Sequence, residues 1–285
     1  MSRNNQDRLG APAFSGAEDA PPPAVEQPQS TLQFSVPTEL VELPSRGEFY
    51  PPDHPLHNKA TVEIKHMTAK DEDILTNKTF IKNGVVLDRL LENVILDKSI
   101  DLDSLLVGDK SAMLIASRIS GYGQNYAAQI PCPSCGEVDD FEFDLNEAQS
   151  FTDPSDTHYD VEKTPTGTFL IKLPRTGACV EVKMLTGKDE KKLINTNKMR
   201  QRNKLPELGL TDQTKLFIVS IDGETDKGKI SAFVDNMPAL DSKNLRDAYR
   251  SVTPNVELAQ RWTCPSCTYE QVLEVPFSTE FFWPK

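Results

Sequence analysis

Residues 62–77 read VEIKHMTAKDEDILTN, and residues 180–195 read VEVKMLTGKDEKKLIN. Nine of the sixteen aligned positions are identical, and Ile64/Val182 and Met67/Leu185 exchange one apolar side chain for another. The flanks align in the same order. Upstream, VELPSRG at 41–47 stands over IKLPRTG at 171–177, sharing Leu-Pro-x-x-Gly. Downstream, DKSAMLIASR at 109–118 stands more weakly over DSKNLRDAYR at 241–250, at the offset that also sets CPSC at 132–135 over CPSC at 264–267. Four matches in one order are a poor product of chance, and an internal repeat outranks any single element in deciding a fold. The chain therefore reads as α+β and internally duplicated, with two strand–helices–β-hairpin repeats at 38–146 and 168–278 and a linker at 147–167. Insertions account for the unequal spacing: a Pro-rich loop at 49–56 in the first repeat and residues around 204–209 in the second.

Within each repeat the hydrophobic period identifies the elements. Val62, Ile64 and His66 alternate with Glu63 and Lys65, as Val180, Val182 and Met184 do with Glu181 and Lys183, which predicts half-buried strands. Thr68 and Thr186 then fit helix N-caps, with Asp71 and Asp189 at the third helical position, where a capping-box acid sits. Helices are expected at about 70–79, 85–97 and 109–120, matched by about 187–200, 211–221 and 241–251. Leu87, Leu90, Leu91, Val94 and Ile95 keep helical spacing and read as core.

Around the cysteines the period returns to two. Tyr126, Ala128 and Ile130 lead into the first CPSC, and Phe141, Phe143 and Leu145 lead out. Val256, Leu258 and Trp262 lead into the second, and Leu273, Val275 and Phe277 lead out. Each CPSC is thus expected at a hairpin tip, where a tight turn aims two sulfurs at one point. Cys132, Cys135, Cys264 and Cys267 together form a shared, zinc-ribbon-like knuckle pair, a closed structural Zn²⁺ site with one half from each repeat. Iron accepts the same four thiolates, and knuckles without metal remain a further alternative. Neither pair opens a helix, so a redox Cys-x-x-Cys is disfavoured. Cys179, the fifth cysteine, is expected to be a plain strand residue, inert as most free cysteines are.

The chain of 285 residues carries a formal charge of −12, which disfavours a general nucleic-acid binder. No run of 18 apolar residues exists to span a membrane, and the N-terminus is not a secretory signal. His54 and His57 in the Pro-rich loop lack further ligands and read as loop residues. The basic run from Lys183 to Lys204 reads as a solvated helix face, with a patch for RNA or an acidic partner as its rival. No phosphate-loop, nucleophile-elbow or dinucleotide motif occurs, so no enzyme and no small-molecule substrate are expected. Residues 1–37 are Pro-rich and poor in bulky apolar side chains, hence disordered or extended, although TLQFSV at 31–36 could add as a strand to a sheet edge. The end at 279–285 crowds Phe281, Phe282 and Trp283, either docked on the body or offered to a partner.

The stretches LPSRG at 43–47, TVEIKHMTAKDEDIL at 61–75 and IPCPSCG at 130–136 resemble the baseplate hub subunit and hub-assembly proteins of T4-like tailed bacteriophages. The resemblance covers about residues 38–280 and implies a non-enzymatic component of a contractile tail. It implies other baseplate and hub proteins as partners, and a location in the virion tail or, during assembly, in the host-cell cytoplasm. The competing class is a zinc-ribbon adaptor for nucleic acid or the transcription machinery.

Overall fold

Each sixteen-residue segment becomes an antiparallel strand followed by a capped helix. In the computed structural model, which describes residues 35–151, 158–275 and 279–282, strand β1 (Thr38–Glu42) pairs with β2 (Thr61–Lys65), setting Val41 opposite Val62. Four helices follow: α1 (Ala69–Leu75), α2 (Lys78–Asn83), α3 (Val86–Val94) and α4 (Val107–Tyr122). The hairpin β3 (Asn125–Pro131) and β4 (Val138–Asp144) comes next, then β5 (Gln149–Phe151). Strands β6 (Val161–Lys163), β7 (Phe169–Lys172) and β8 (Cys179–Val182) form three strands of a four-stranded antiparallel sheet. After α5 (Gly187–Arg202) and α6 (Leu210–Phe217), strand β9 (Ile218–Ile221) completes that sheet beside β8. Helices α7 (Lys227–Asn236) and α8 (Ala239–Val252), strand β10 (Asn255–Glu257) and the hairpin β11 (Ala259–Thr263) and β12 (Glu270–Glu274) finish the order. The class is mixed helix and small antiparallel sheets.

Local contacts recur at the aligned positions. Ile171 stands opposite Val180 across β7 and β8, as Val41 does opposite Val62. The Asp71 carboxylate accepts from Thr68 N–H (2.8 Å) and Oγ1 (2.7 Å), and Asp189 accepts from the same two donors of Thr186 at 3.3 and 3.2 Å. These reciprocal bonds satisfy amides that a helix start leaves open. The Leu-Pro-x-x-Gly turns are each clamped by a fully buried aspartate from a later helix. Asp109 of α4 accepts from Ser45 N–H (3.0 Å), Ser45 Oγ (2.6 Å) and Tyr50 Oη (2.7 Å). Asp241 of α8 accepts from the N–H groups of Arg175 (2.8 Å) and Thr176 (2.9 Å).

Three expectations need correction. The helix at 70–79 is two helices, because the Asn77 side chain accepts from Thr79 and Phe80 N–H and starts a new one. The helix at 211–221 stops at Phe217; Ile218 and Val219, β-branched and beside an open edge of β8, go into strand β9. Helix α7 was not expected at all.

The region 147–167 contributes two strands, β5 against β10 and β6 against β7. Val62, Ile64, Leu90, Leu91 and Val94 share one apolar core with Val180, Val182, Leu245 and Phe143. Residues 36–285 are accordingly a single unit. Phe281 and Phe282 are buried in the same core, docked on the body, and Trp283 lies outside the described residues. The expectations for residues 1–34 and for Phe277 also fall outside them.

Candidate metal centre

The hairpins place their tips together. Register pairs Pro131 with Val138 and Thr263 with Glu270, so each CPSC lies in the turn between two strands. Both turns close the same way. Cys132 N–H donates to Glu137 O (2.7 Å) and Gly136 N–H to Cys132 O (2.9 Å). In the second turn Cys264 N–H donates to Tyr269 O (2.8 Å) and Thr268 N–H to Cys264 O (3.0 Å). The residue after each CPSC motif differs in kind: Gly136 at φ 79° suits the left-handed region, whereas Thr268 is a β-branched residue at φ 58°.

All four sulfurs lie within 4.8 Å of one another. Cys132 Sγ is 3.6 Å from Cys267 Sγ, and Cys135 Sγ is 3.7 Å from Cys264 Sγ. Four thiolates at about 2.3 Å from a tetrahedral zinc stand about 3.8 Å apart, so the cluster has the dimensions such an ion needs. Cys132 and Cys264 are buried, Cys267 is half-buried and Cys135 is exposed. Burial pushes the Cys132 thiol up, but the N–H groups of Cys135 and Ser134 and the adjoining thiols outweigh it and hold it at about 7. At Cys135 the Glu137 N–H pulls downward, while the sulfurs of Cys267, Cys132 and Cys264 together with burial push it up to about 12. Four crowded sulfurs resist shedding all their protons at neutral pH, and a divalent cation is the natural agent that removes them. The donor set is compatible with a closed metal site.

Sequence reasoning missed what holds the two hairpins side by side. Trp262, fully buried, packs on Cys132 and Cys264 and donates its Nε1–H to Asp139 Oδ2 (2.8 Å). Gln260 donates to Asp144 O (2.6 Å) and accepts from Asp144 N–H (3.3 Å). The signal was present, since Gln260 and Trp262 of β11 continue the inward phase of Leu258 just before it, and a polar residue in that phase calls for a buried partner.

The other flagged residues are placed plainly. His54 bonds Ser104 Oγ (2.8 Å) and Leu56 N–H (3.1 Å), and His57 bonds Tyr50 O (2.7 Å), so both serve their loop. Cys179 is on strand β8 as expected, but exposed. Among the basic residues, Lys183 pairs with Asp189, Lys191 with Asp88 and Asp103, and Arg200 donates to Pro206 O.

Comparison with known proteins adds a partial family match. The family described as T4 bacteriophage base plate protein matches residues 37–173. The match covers just under half of the chain and says what that stretch is similar to. No curated protein and no solved structure matches the chain. The matched stretch holds Cys132 and Cys135 and ends before Cys264 and Cys267, so the second half of the chain completes the sulfur cluster. No helix among the described residues is long and apolar enough to cross a membrane.

Proposed function

We propose that this chain is a phage baseplate protein, a non-catalytic component of the contractile-tail hub that acts by binding other tail proteins, with Zn²⁺ on Cys132, Cys135, Cys264 and Cys267 as an internal clip. The family match carries the reading. A site closed by four thiolates leaves no coordination position for a substrate, which supports a structural role for the ion. Val138, Tyr269 and Val272 are exposed apolar side chains on the two hairpins, available to a protein partner. Phe281 and Phe282 are committed to the core and are not.

The repeats at 38–146 and 168–278 are read as a duplication of one ancestral unit. Support comes from the shared strand register, capping boxes, aspartate clamps and knuckle hydrogen bonds at aligned positions. The segment at 1–37 is read as a tether to partners.

Co-expression with candidate hub proteins tests the function. Full-length chain is expected to co-purify with at least one of them, and a chain lacking residues 1–30 to bind less while melting at the same temperature. A chain that binds no tail protein yet shifts DNA at moderate salt would be a nucleic-acid adaptor instead. Elemental analysis of protein purified without added metal should give one zinc per chain.

A further inference from the structure

Helix α7 has no counterpart in the first repeat, and it creates a groove. A cavity of about 320 Å³ lies between α5, α6, β9 and α7, beside the outer strand of the four-stranded sheet. Its floor is apolar, formed by Leu216, Ile218 and Ile230. Its walls carry four ammonium groups, those of Lys183, Lys192, Lys215 and Lys227, with the Asp189 carboxylate and the Ser231 hydroxyl between them. Lys183 is answered by Asp189 (2.7 Å), and Lys215 by Asp235 (2.6 Å) and Asp212 (3.7 Å). Lys192 and Lys227 make no ion pair among the described residues, and both are exposed.

On a chain with a net charge of −12, two unanswered cations over an apolar floor are the reverse of the surrounding field. We infer that this groove docks an acidic, apolar-bearing peptide segment of a partner protein, with carboxylates at Lys192 and Lys227 and an aliphatic side chain on Ile218 and Ile230. Nucleic acid would use the same cations, but it asks for stacking surfaces and a basic approach, and the groove has no aromatic lining. The inference deepens the reading of the chain as a protein-binding component and rests on it. It also fits the family boundary, because every residue of the groove lies beyond the matched stretch.

The test is fluorescence anisotropy with a labelled synthetic peptide alternating glutamate and leucine, against the full chain at low salt. The peptide is expected to bind, and moderate salt to weaken it as exposed charges are screened over a Debye length of about 10 Å. The double variant Lys192→Glu/Lys227→Glu removes no internal ion pair, so its melting temperature should be unchanged while binding falls about tenfold or more. Lys82→Glu, an exposed lysine on α2, is the control and should stay within about twofold. Failure of the peptide to bind, an unchanged affinity in the double variant, or an RNA oligonucleotide of equal charge binding as tightly would overturn the proposal. The readout needs no tail protein. Peptide binding without hub binding would leave the groove and remove the hub reading, and hub binding without peptide binding would do the opposite.

Discussion

Cys264→Ser is expected to part the two hairpin tips, and Trp262 reports it. The chain has two tryptophans, so in a Trp283→Phe background Trp262 is the sole indole. Two kinds of contact join the hairpins. Trp262 is 1% exposed, and a tryptophan driven out of such a site gives water about 200 Å² of apolar surface, a cost of about 5 kcal/mol. The two Gln260–Asp144 bonds add about 1 kcal/mol each. Metal linkage comes on top, at several kcal/mol for a four-thiolate site. Serine at 264 loses a ligand and loosens the indole's packing at the tips without expelling it from the body, so the loss should be about 3 kcal/mol or more. For a body of this size that lowers the melting temperature by roughly 6–12 °C. Cys179→Ser, at an exposed strand position, should change it by less than about 2 °C, as surface substitutions do. Trp262 emission should move to the red in Cys264→Ser and in wild-type protein treated with a chelator, and stay put in Cys179→Ser. Equal melting of the two variants, with unshifted emission, would refute the claim that the sulfurs hold the hairpins together.

Other expectations follow from the clamps and the turns. Burial pushes the Asp241 carboxyl up, but the N–H groups of Arg175 and Thr176 outweigh it and hold it below the usual carboxylate range. Its folded pKa thus lies below the unfolded one, so its stabilisation is present above about pH 4 and is lost as pH falls through the folded value. Asp109 is the opposite case: burial raises it despite the Ser45 and Tyr50 donors, so its ionised form is tolerated and not favoured. Asp241→Asn should therefore cost more at pH 7 than Asp109→Asn, and its penalty should shrink in urea melts at pH 3. Arg118 donates from the core to the carbonyls of Phe281, Gly123 and Asn125. Arg118→Ala should cost about 3 kcal/mol and expose the C-terminal end to carboxypeptidase, because one buried and two part-buried carbonyls lose their donor. Thr268→Gly should stabilise by about 1 kcal/mol, since a β-branched residue at positive φ is strained where glycine is not. A lower melting temperature in that variant would show that the bond from Thr268 Oγ1 to Cys267 O matters more than the backbone.

Legibility in the sequence tracked how local each cause was. The capping boxes at Thr68 and Thr186 and the hairpins around CPSC were readable because period and cap chemistry act within a few residues. The break at Asn77 was equally local but lost to the apolar run around it. Strand β9 was not readable from its own residues: Ile218 to Ile221 become a strand because β8 offers an edge, and that edge is set by residues some forty positions earlier. Asp109 and Asp241 only open the helices expected at 109–120 and 241–251, and nothing beside them in the sequence marks them as buried. Only the turns folded back on them, Ser45 in one case and Arg175 in the other, make them buried clamps. At the cysteines the four sulfurs were legible by spacing alone, whereas Trp262 and Gln260, which align the hairpins, act across the gap between two sheets.

The position of the sulfur cluster among the other ties bears on what the metal does. The two halves meet well away from the cysteines. Leu106 bridges Thr186, Val107 N–H donates to Leu185 O (3.1 Å), and Gly187 N–H donates to Leu105 O (2.8 Å). Lys110 of α4 is buried between Asp88 (2.9 Å) and Glu190 (2.6 Å), tying α3 and α5 through one ammonium. At Gly108 an added Cβ would sit 2.1 Å from Pro254 O, so the helix start and the strand that follows α8 approach as only glycine permits. With a common core and these crossings in place, the body does not depend on metal for its topology. The hairpin tips differ: each hairpin is a separate two-stranded sheet rooted in the core at its base, as by Phe143, and a two-stranded pair beyond such support is marginal in water. Metal at their tips would thus act locally, turning two weak ribbons into one rigid projection that carries the exposed Val138, Tyr269 and Val272. A projection fixed in this way presents its apolar side chains to a partner without paying their ordering entropy at the moment of binding.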